Sequence, residues 1–310
     1  MGAAAVPGRL DWIAVDWGTS ALRAWALDAG GNVLAHAHSQ DGMGTLSPDG
    51  YEPTLLRLAG GWLPAGKMRV PVIVCGMAGA RQGWTEAAYR QIPCRPVAGR
   101  QMTPVATSDE RLDVAIVPGL CQIDPPDVMR GEETQLAGLM RQTGTADAVV
   151  CMPGTHSKWV RVERGDVVGF TTFMTGELFA VISTHSILRH SVGTSGDDRD
   201  AFLQGVSDMH AETGTLTAAL FGIRASGLLA GMAQETARSR LSGLLIGAEL
   251  AATRTLWEAA PVHLVGAGPL VASYADALGH AGGTAIRHDA GELTLQGLAM
   301  ARAAMKEAAA

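Results

Sequence analysis

The chain has 310 residues, 47% hydrophobic and 17% charged, with 24 Lys and Arg against 30 Asp and Glu for a net charge of −6. That length accommodates two domains, each with its own core, and an acidic balance without a Lys/Arg cluster excludes a nucleic-acid partner. No apolar run reaches the roughly 18 to 20 residues of a spanning helix, and MGAAAVPGRLDW lacks the basic region and long apolar block of a secretory signal.

Val6 stands where a myristoylation site takes Ser or Thr, so a cytoplasmic protein with no membrane partner is expected. Cys75, Cys94, Cys121 and Cys151 are far apart and include no Cys-x-x-Cys pair, which predicts reduced thiols rather than disulfides or structural zinc. The nine histidines form no zinc signature.

The first predicted element is a strand over Trp12–Asp16, followed by a Trp-Gly-Thr-Ser turn and a returning strand over Ala21–Leu27. Gly18 lets the backbone approach an anion, N–H groups in such a turn can converge on phosphate oxygens, and the Thr19 and Ser20 hydroxyls add donors. Asp16, at the strand's end, is placed to hold Mg²⁺ directly or through water. A third strand, Asn32–His38, leads into a loop over Ser39–Gly50, long enough beside such a turn to be functional.

A helix over Tyr51–Trp62 precedes a buried strand, Val70–Cys75, which opens onto a glycine-rich loop carrying Arg81. Another strand is expected around Val114–Pro118. Glu132 and Glu133 then open a helix running to about Arg141, where negative charge complements the helix dipole. Adjacent residues point in different directions, so at most one of the two acts as a base.

Ala148–Arg161 repeats the opening pattern of apolar strand, Gly-Thr turn and returning strand, with Gly154-Thr155 in the place of Gly18-Thr19. Two such units predict duplicated α/β domains facing one cleft, each supplying a phosphate turn. The boundary is placed in a tight hinge near 141–146, giving domains 1–142 and 143–310. Further on, Val167–Phe173 reads as strand, Thr175 opens a helix, and Val192–Leu220 is mostly helical with a break at Gly193–Asp198. In the helix over Ser239–Trp257, Gly243 and Gly247 permit close packing and no chemistry is assigned. Val262–Val265 is a strand opening onto Gly266-Ala267-Gly268, a turn suited to pass under an adenosine. It lacks the third glycine and acidic partner of a dinucleotide fingerprint. A final Ala-rich helix covers Glu292–Glu307.

Asp16-Trp-Gly-Thr, Leu22-Arg-Ala-Trp25, Arg130-Gly-Glu-Glu-Thr-Gln135, Pro153-Gly-Thr-His-Ser-Lys-Trp159, Met174-Thr-Gly-Glu-Leu178 and Ser242-Gly-Leu-Leu-Ile-Gly-Ala-Glu249 together resemble the 2-dehydro-3-deoxygalactonokinase family over nearly the whole chain. The resemblance implies two ribonuclease H-like domains of the sugar kinase, Hsp70 and actin superfamily, with ATP between them. It also implies phosphorylation of the 6-hydroxyl of 2-dehydro-3-deoxy-D-galactonate to give the 6-phosphate and ADP.

On that resemblance the first phosphate motif falls on Asp16, Gly18 and Thr19, the second on Gly154, Thr155 and His156, and the adenosine turn on Gly266, Ala267 and Gly268. The Gly-x-Glu-Glu segment of related exopolyphosphatases implies Glu133 rather than Glu132 as the base. Many superfamily members carry Asp where this chain has Met152, so Lys158 is expected to supply charge at the second turn instead. Arg23, Arg81 and Arg130 are the candidates to grip the sugar-acid carboxylate, since guanidinium matches it bidentately. The competing readings are a kinase for another sugar acid, a phosphoanhydride hydrolase in the same cleft, and a non-catalytic ATP-switched binding module. Neither the oligomeric state nor the preferred epimer follows from these motifs.

Overall fold

The computed structural model describes residues 8–211 and 215–309; Val6 and the rest of the opening stretch to residue 7 lie outside them. In chain order the elements are β1 (Trp12–Trp17), β2 (Leu22–Leu27), β3 (Val33–Ser39), α1 (Tyr51–Ala59), β4 (Val70–Gly76), β5 (Arg90–Gln91), β6 (Thr103–Val105), β7 (Leu112–Ile116), β8 (Leu120–Gln122), β9 (Asp127–Met129) and α2 (Glu132–Thr143). They continue with β10 (Ala148–Met152), β11 (Ser157–Glu163), β12 (Asp166–Phe173), α3 (Thr175–His185), α4 (Arg199–Ala211), α5 (Leu216–Ala230), α6 (Gln234–Ala252) and α7 (Arg254–Trp257). The last are β13 (Val262–Gly266), α8 (Gly268–His280), β14 (Ala285–Asp289) and α9 (Ala290–Ala309).

The chain divides into two compact units. Unit 1 comprises Met1–Ala146, Arg164–Gly169 and Ala290–Ala310, and unit 2 comprises Asp147–Glu163 and Phe170–Asp289. The expected boundary at 142/143 leaves the terminal helix with the second half, whereas α9 belongs by its packing to unit 1.

In unit 1 the sheet order is β3-β2-β1-β4-β7-β6, with β1 antiparallel to β2 and parallel to β4. Side chains alternate along a strand, and β1 and β4 use both faces. Ile13, Val15 and Trp17 join Val72 and Val74 in a core closed by Tyr51 and Leu55 of α1. Trp12 and Ala14 join Ile73 and Cys75 in a second core closed by Leu298 and Ala301 of α9. A strand buried on both sides reads as a continuous apolar run, which is why both were visible in the sequence. A small sheet, β5-β8-β9, completes the unit's strand pairings among the described residues.

In unit 2 the order is β12-β11-β10-β13-β14, again an antiparallel hairpin beside parallel strands. Its core gathers Cys151, Trp159, Leu264 and Tyr274 with Phe202, Val206, Ile246 and Leu250 from α4 and α6. Gly243 and Gly247 do permit close packing: a Cβ on Gly243 would lie 2.0 Å from the Phe202 carbonyl oxygen, and one on Gly247 2.8 Å from Val206 Cα. The four cysteines are free thiols, Cys75 and Cys151 buried.

Several boundaries differ from expectation. The helix expected to reach Trp62 ends at Ala59 and continues as a 3-10 turn over Gly60–Trp62, where two glycines weaken the helix. α6 starts earlier, at Gln234, and stops at Ala252, leaving Trp257 in a separate short helix. β14 is not foreshadowed in the sequence because it has no buried residue and no apolar alternation, carrying Arg287, His288 and Asp289 in succession.

Candidate active site

Unit 1 collects its polar groups at the carboxyl ends of β1 and β4, the place where parallel α/β sheets receive ligands. Asp16 lies opposite Cys75 on β4 and opposite Arg23 on β2. Its Oδ2 accepts hydrogen bonds from Arg23 Nε at 3.0 Å and Nη2 at 2.5 Å, while Oδ1 has the Cys75 thiol at 3.7 Å as its partner among the described residues. Arg23 is therefore engaged by Asp16 in an ion pair. The sequence held this signal, since a hairpin folding between Thr19 and Ser20 brings residues 16 and 23 face to face. One lone carboxylate oxygen suits Mg²⁺, which keeps several waters and uses one or two carboxylates. Among the described residues no three His, Cys, Asp or Glu side chains form an all-protein cage.

The first turn is more tightly closed than expected. Gly18 N–H donates to the Ala21 carbonyl at 2.8 Å, so the turn consumes that donor, while Thr19 and Ser20 are exposed. The Ser39–Gly50 loop is the turn's buttress: Met43 N–H donates to Gly18 O at 3.0 Å and Gly44 N–H to Thr19 O at 2.9 Å. A Cβ on Gly42 would stand 2.3 Å from the Thr19 oxygen, so glycine is required for that approach.

Two glycines with positive φ bring α2 to the strand ends. Gly76 has φ +85° and Gly131 φ +105°, and a Cβ on Gly131 would lie 3.4 Å from Gly76 Cα. Glu133 is fully buried there, its Oε2 accepting Gly131 N–H at 2.7 Å and its Oε1 the Thr134 hydroxyl at 2.9 Å. Burial, then the neighbouring Glu132 charge, pushes its pKa from the ordinary 4.5 up to about 7. The buried Cys75 thiol is pushed well up by burial first and then by the charges of Asp16 and Glu133, which marks how near the three groups stand. Glu132 is half-exposed and accepts the Arg130 N–H at 2.9 Å.

The remaining arginines are not equivalent. Arg81 is exposed. Arg130 stacks its guanidinium 4.3 Å above the Tyr89 ring and donates Nη2–H to Ala87 O at 2.7 Å. Its Nε and Nη1 are shut away from solvent with no hydrogen-bond partner. Two donor atoms shut from solvent and left unanswered are costly, even on a side chain that is only partly buried.

In unit 2, Thr155 and His156 are exposed on the turn between β10 and β11, and Gly154 is half-exposed. His156 Nε2 meets Glu177 Oε2 at 2.5 Å, and Glu177 N–H donates to Thr155 O at 2.9 Å, so the start of α3 holds the turn from behind. The contact demands Gly176, where a Cβ would lie 2.4 Å from Gly154 O; a Cβ on Gly154 itself would meet only the His156 carbonyl oxygen, at an ordinary 3.7 Å. Lys158 is buried on β11, opposite Met152, rather than solvated on a strand face. At the end of β13 the Gly266–Gly268 turn opens α8, with Gly268 at φ +71° and Ala267 exposed. A cavity of about 310 Å³ runs from Gly154 and Thr155 past Phe179 and Ser242 to Leu270 and Tyr274. It adjoins a second of about 450 Å³ that shares Phe179, Ser242 and Leu270. Sequence reasoning gave the turns a role, whereas Gly176, Glu177 and Glu249 stood within the quoted family motifs without one.

The family model described as 2-keto-3-deoxy-galactonokinase matches residues 16–301. A probable 2-dehydro-3-deoxygalactonokinase of Rhizobium meliloti is 45% identical over 303 residues, spanning 95% of this chain and 97% of that protein. The 2-dehydro-3-deoxygalactonokinase of Escherichia coli is 36% identical over 246 residues, spanning 78% and 80%. A crystal structure of a Sinorhizobium meliloti protein assigned as a 2-dehydro-3-deoxygalactonokinase superposes with TM-score 0.86 at 42% identity, covering 95% of this chain and 96% of that one.

Proposed function

Because the chain belongs to the 2-keto-3-deoxy-galactonokinase family, we infer that it is a kinase that phosphorylates 2-dehydro-3-deoxygalactonate with ATP, at the 6-hydroxyl. The observation that carries the site assignment is Glu133, a carboxylate raised to a pKa of about 7 at the strand ends shared with Asp16. A base with that pKa accepts a proton near neutral pH while remaining available to give it up.

Phosphoryl transfer is catalysed by positioning and by neutralising charge on the transferred group. Glu133 orients and deprotonates the attacking hydroxyl. It must be uncovered to meet that hydroxyl, and the half-exposed Glu132 beside it is the residue to test against it. Asp16 would hold Mg²⁺, which when bound offsets phosphate charge, and Arg23 fixes the Asp16 carboxylate so that Oδ1 stays turned away from the ion pair. The exposed Thr19 and Ser20 donors of unit 1 and the Gly154–Thr155 turn of unit 2 are the groups assigned to phosphate oxygens. The Gly266–Gly268 turn and the adjoining cavities of unit 2 take the adenosine. Arg130 is the arginine assigned to the sugar-acid carboxylate, because its Nη1 lacks a hydrogen-bond partner and would meet a carboxylate oxygen once that edge is uncovered. The matching strand order of the two sheets supports two ribonuclease H-like domains.

The test is ADP release with Mg-ATP against 2-dehydro-3-deoxygalactonate, its gluconate epimer, plain hexoses and no sugar. Turnover confined to the keto-deoxy acids is expected, with the galactonate epimer preferred. ADP release without sugar would replace the kinase by a hydrolase, and ATP binding without turnover would replace it by a binding module.

A further inference from the structure

Unit 2 contains a second buried acid, far in sequence from the pair on α2. Glu249, on α6, is 2% exposed and accepts four hydrogen bonds. Its Oε1 accepts Trp159 Nε1–H at 2.7 Å. Its Oε2 accepts the hydroxyls of Ser157 at 2.7 Å and Tyr274 at 2.7 Å, and that of Thr175 in a shorter contact. All four donors are neutral, and no Lys or Arg forms an ion pair with Glu249 among the described residues. A carboxylate taken out of water is strongly penalised unless its oxygens are satisfied. Four charge-assisted bonds are the means of satisfying it here.

The donors define what the carboxylate holds. Ser157 is the first residue of β11, directly after the Gly154–His156 turn. Thr175 is the first residue of α3, and its neighbour Gly176 presses on the Gly154 carbonyl. Tyr274 belongs to α8, the helix opened by the Gly266–Gly268 turn, and its hydroxyl also lies 3.2 Å from Ser157 Oγ. The cavity from Gly154 to Tyr274 includes Thr175 and Tyr274 in its wall. One carboxylate thus ties the strand leaving the phosphate turn, the helix behind that turn and the helix of the adenosine turn to α6.

We propose that Glu249 is a positioning residue for nucleotide binding: it fixes the Gly154–His156 turn against the start of α3 and sets that turn's distance from α8. This rests on the reading of the turn as a phosphate site. An amide cannot substitute for the carboxylate. If Glu249→Gln turns its oxygen to the three hydroxyls, its NH₂ faces the Trp159 N–H, which is a donor with no acceptor alternative. The loss falls on the geometry of the turn and hence on the nucleotide.

The experiment measures KM for ATP and for the keto-deoxy acid by ADP release, and Kd for ATP by calorimetry, in the wild type, Glu249→Gln, Thr175→Val and Thr175→Ser. Thr175→Val keeps the shape and removes the hydroxyl, and it carries the test alone should Glu249→Gln not fold. Glu249→Gln and Thr175→Val are expected to raise both KM and Kd for ATP by about tenfold or more, the loss of one hydrogen bond to a charged group. KM for the sugar acid stays within about twofold, and Thr175→Ser brings the ATP values back towards wild type. Equal ATP Kd in all four proteins, or KM values for both substrates rising together, overturns the proposal. Absence of wild-type turnover would overturn the kinase reading instead, and the calorimetric Kd values would still decide the role of Glu249.

Discussion

Glu133, fully buried, and Arg130, partly buried, each yield a separable prediction. Glu133 carries a pKa of about 7 against an ordinary 4.5. Between those values the folded protein binds more protons than the unfolded chain, so this group's contribution to stability is complete below about pH 4.5 and is lost as pH rises through about 7. The shift corresponds to something on the order of 3 kcal/mol. Thermal unfolding followed from pH 5 to 8 should show Tm declining with pH in the wild type and a flatter profile in Glu133→Gln. The same substitution should lower kcat by about 10²- to 10⁴-fold with the ATP Kd unchanged, and remove the rise of kcat/KM with pH towards a plateau above about 7. Loss of activity in Glu132→Gln with Glu133→Gln intact would transfer the role to Glu132. Arg130→Gln should raise KM for the sugar acid by roughly 10- to 100-fold, the worth of hydrogen bonds to a charged group. Its ATP KM should hold, and an equal effect on both substrates would return Arg130 to a purely structural place.

Among the elements, α2 shows how far local sequence reaches and where it stops. Its acids, its cap-free Gly131 start and its left-handed Gly144 end lie within the segment itself, so the helix was legible with little error. What it packs against was not. Gly138 and Gly297 let α2 and α9 meet backbone to backbone: a Cβ on Gly297 would stand 1.8 Å from Thr134 O, and one on Gly138 2.0 Å from Leu293 O. Gly297→Ala gains about 1 kcal/mol of helix propensity, yet a contact that close forces the helices apart, at about 1–3 kcal/mol or more. Net destabilisation is therefore expected, read as a lower Tm, and accompanied by reduced kcat because Thr134 adjoins Glu133. A Tm equal to or above wild type would show that α9 can shift freely. β1 and β4 were visible because both faces are apolar, whereas β14 is an exposed edge with no periodic signal. Glu249 follows Leu245 by four residues and precedes Leu250, both buried, so its place on the inward face of α6 was written in the sequence. Its four partners come from three other elements, and their convergence was not.

At the scale of the molecule, the two sheets repeat one strand order, and the repeat was announced by the two Gly-Thr turns. The sequence placed the break near 141–146, close to the observed one after Ala146, but not the return of the last helix to unit 1, because an amphipathic terminal helix shows that it buries a face without showing where. α9 supplies Leu298 and Ala301 to the unit 1 core, and Arg302 and Lys306 approach Asp11 at 3.7 and 3.5 Å. A chain ending before Ala290 should lose the cooperative unfolding of unit 1 and expose β1 and β4 to protease cleavage, seen by limited proteolysis and near-UV circular dichroism. Retention of a protected 8–146 fragment would contradict this. The closing helix also fixes an order of events during translation: unit 2 leaves the ribosome while the older half of the protein still lacks one wall. Until residues 290–309 emerge, the face of the first sheet that carries Trp12, Ala14, Ile73 and Cys75 lacks its cover, an apolar surface of the kind that makes a partly synthesised chain prone to aggregate.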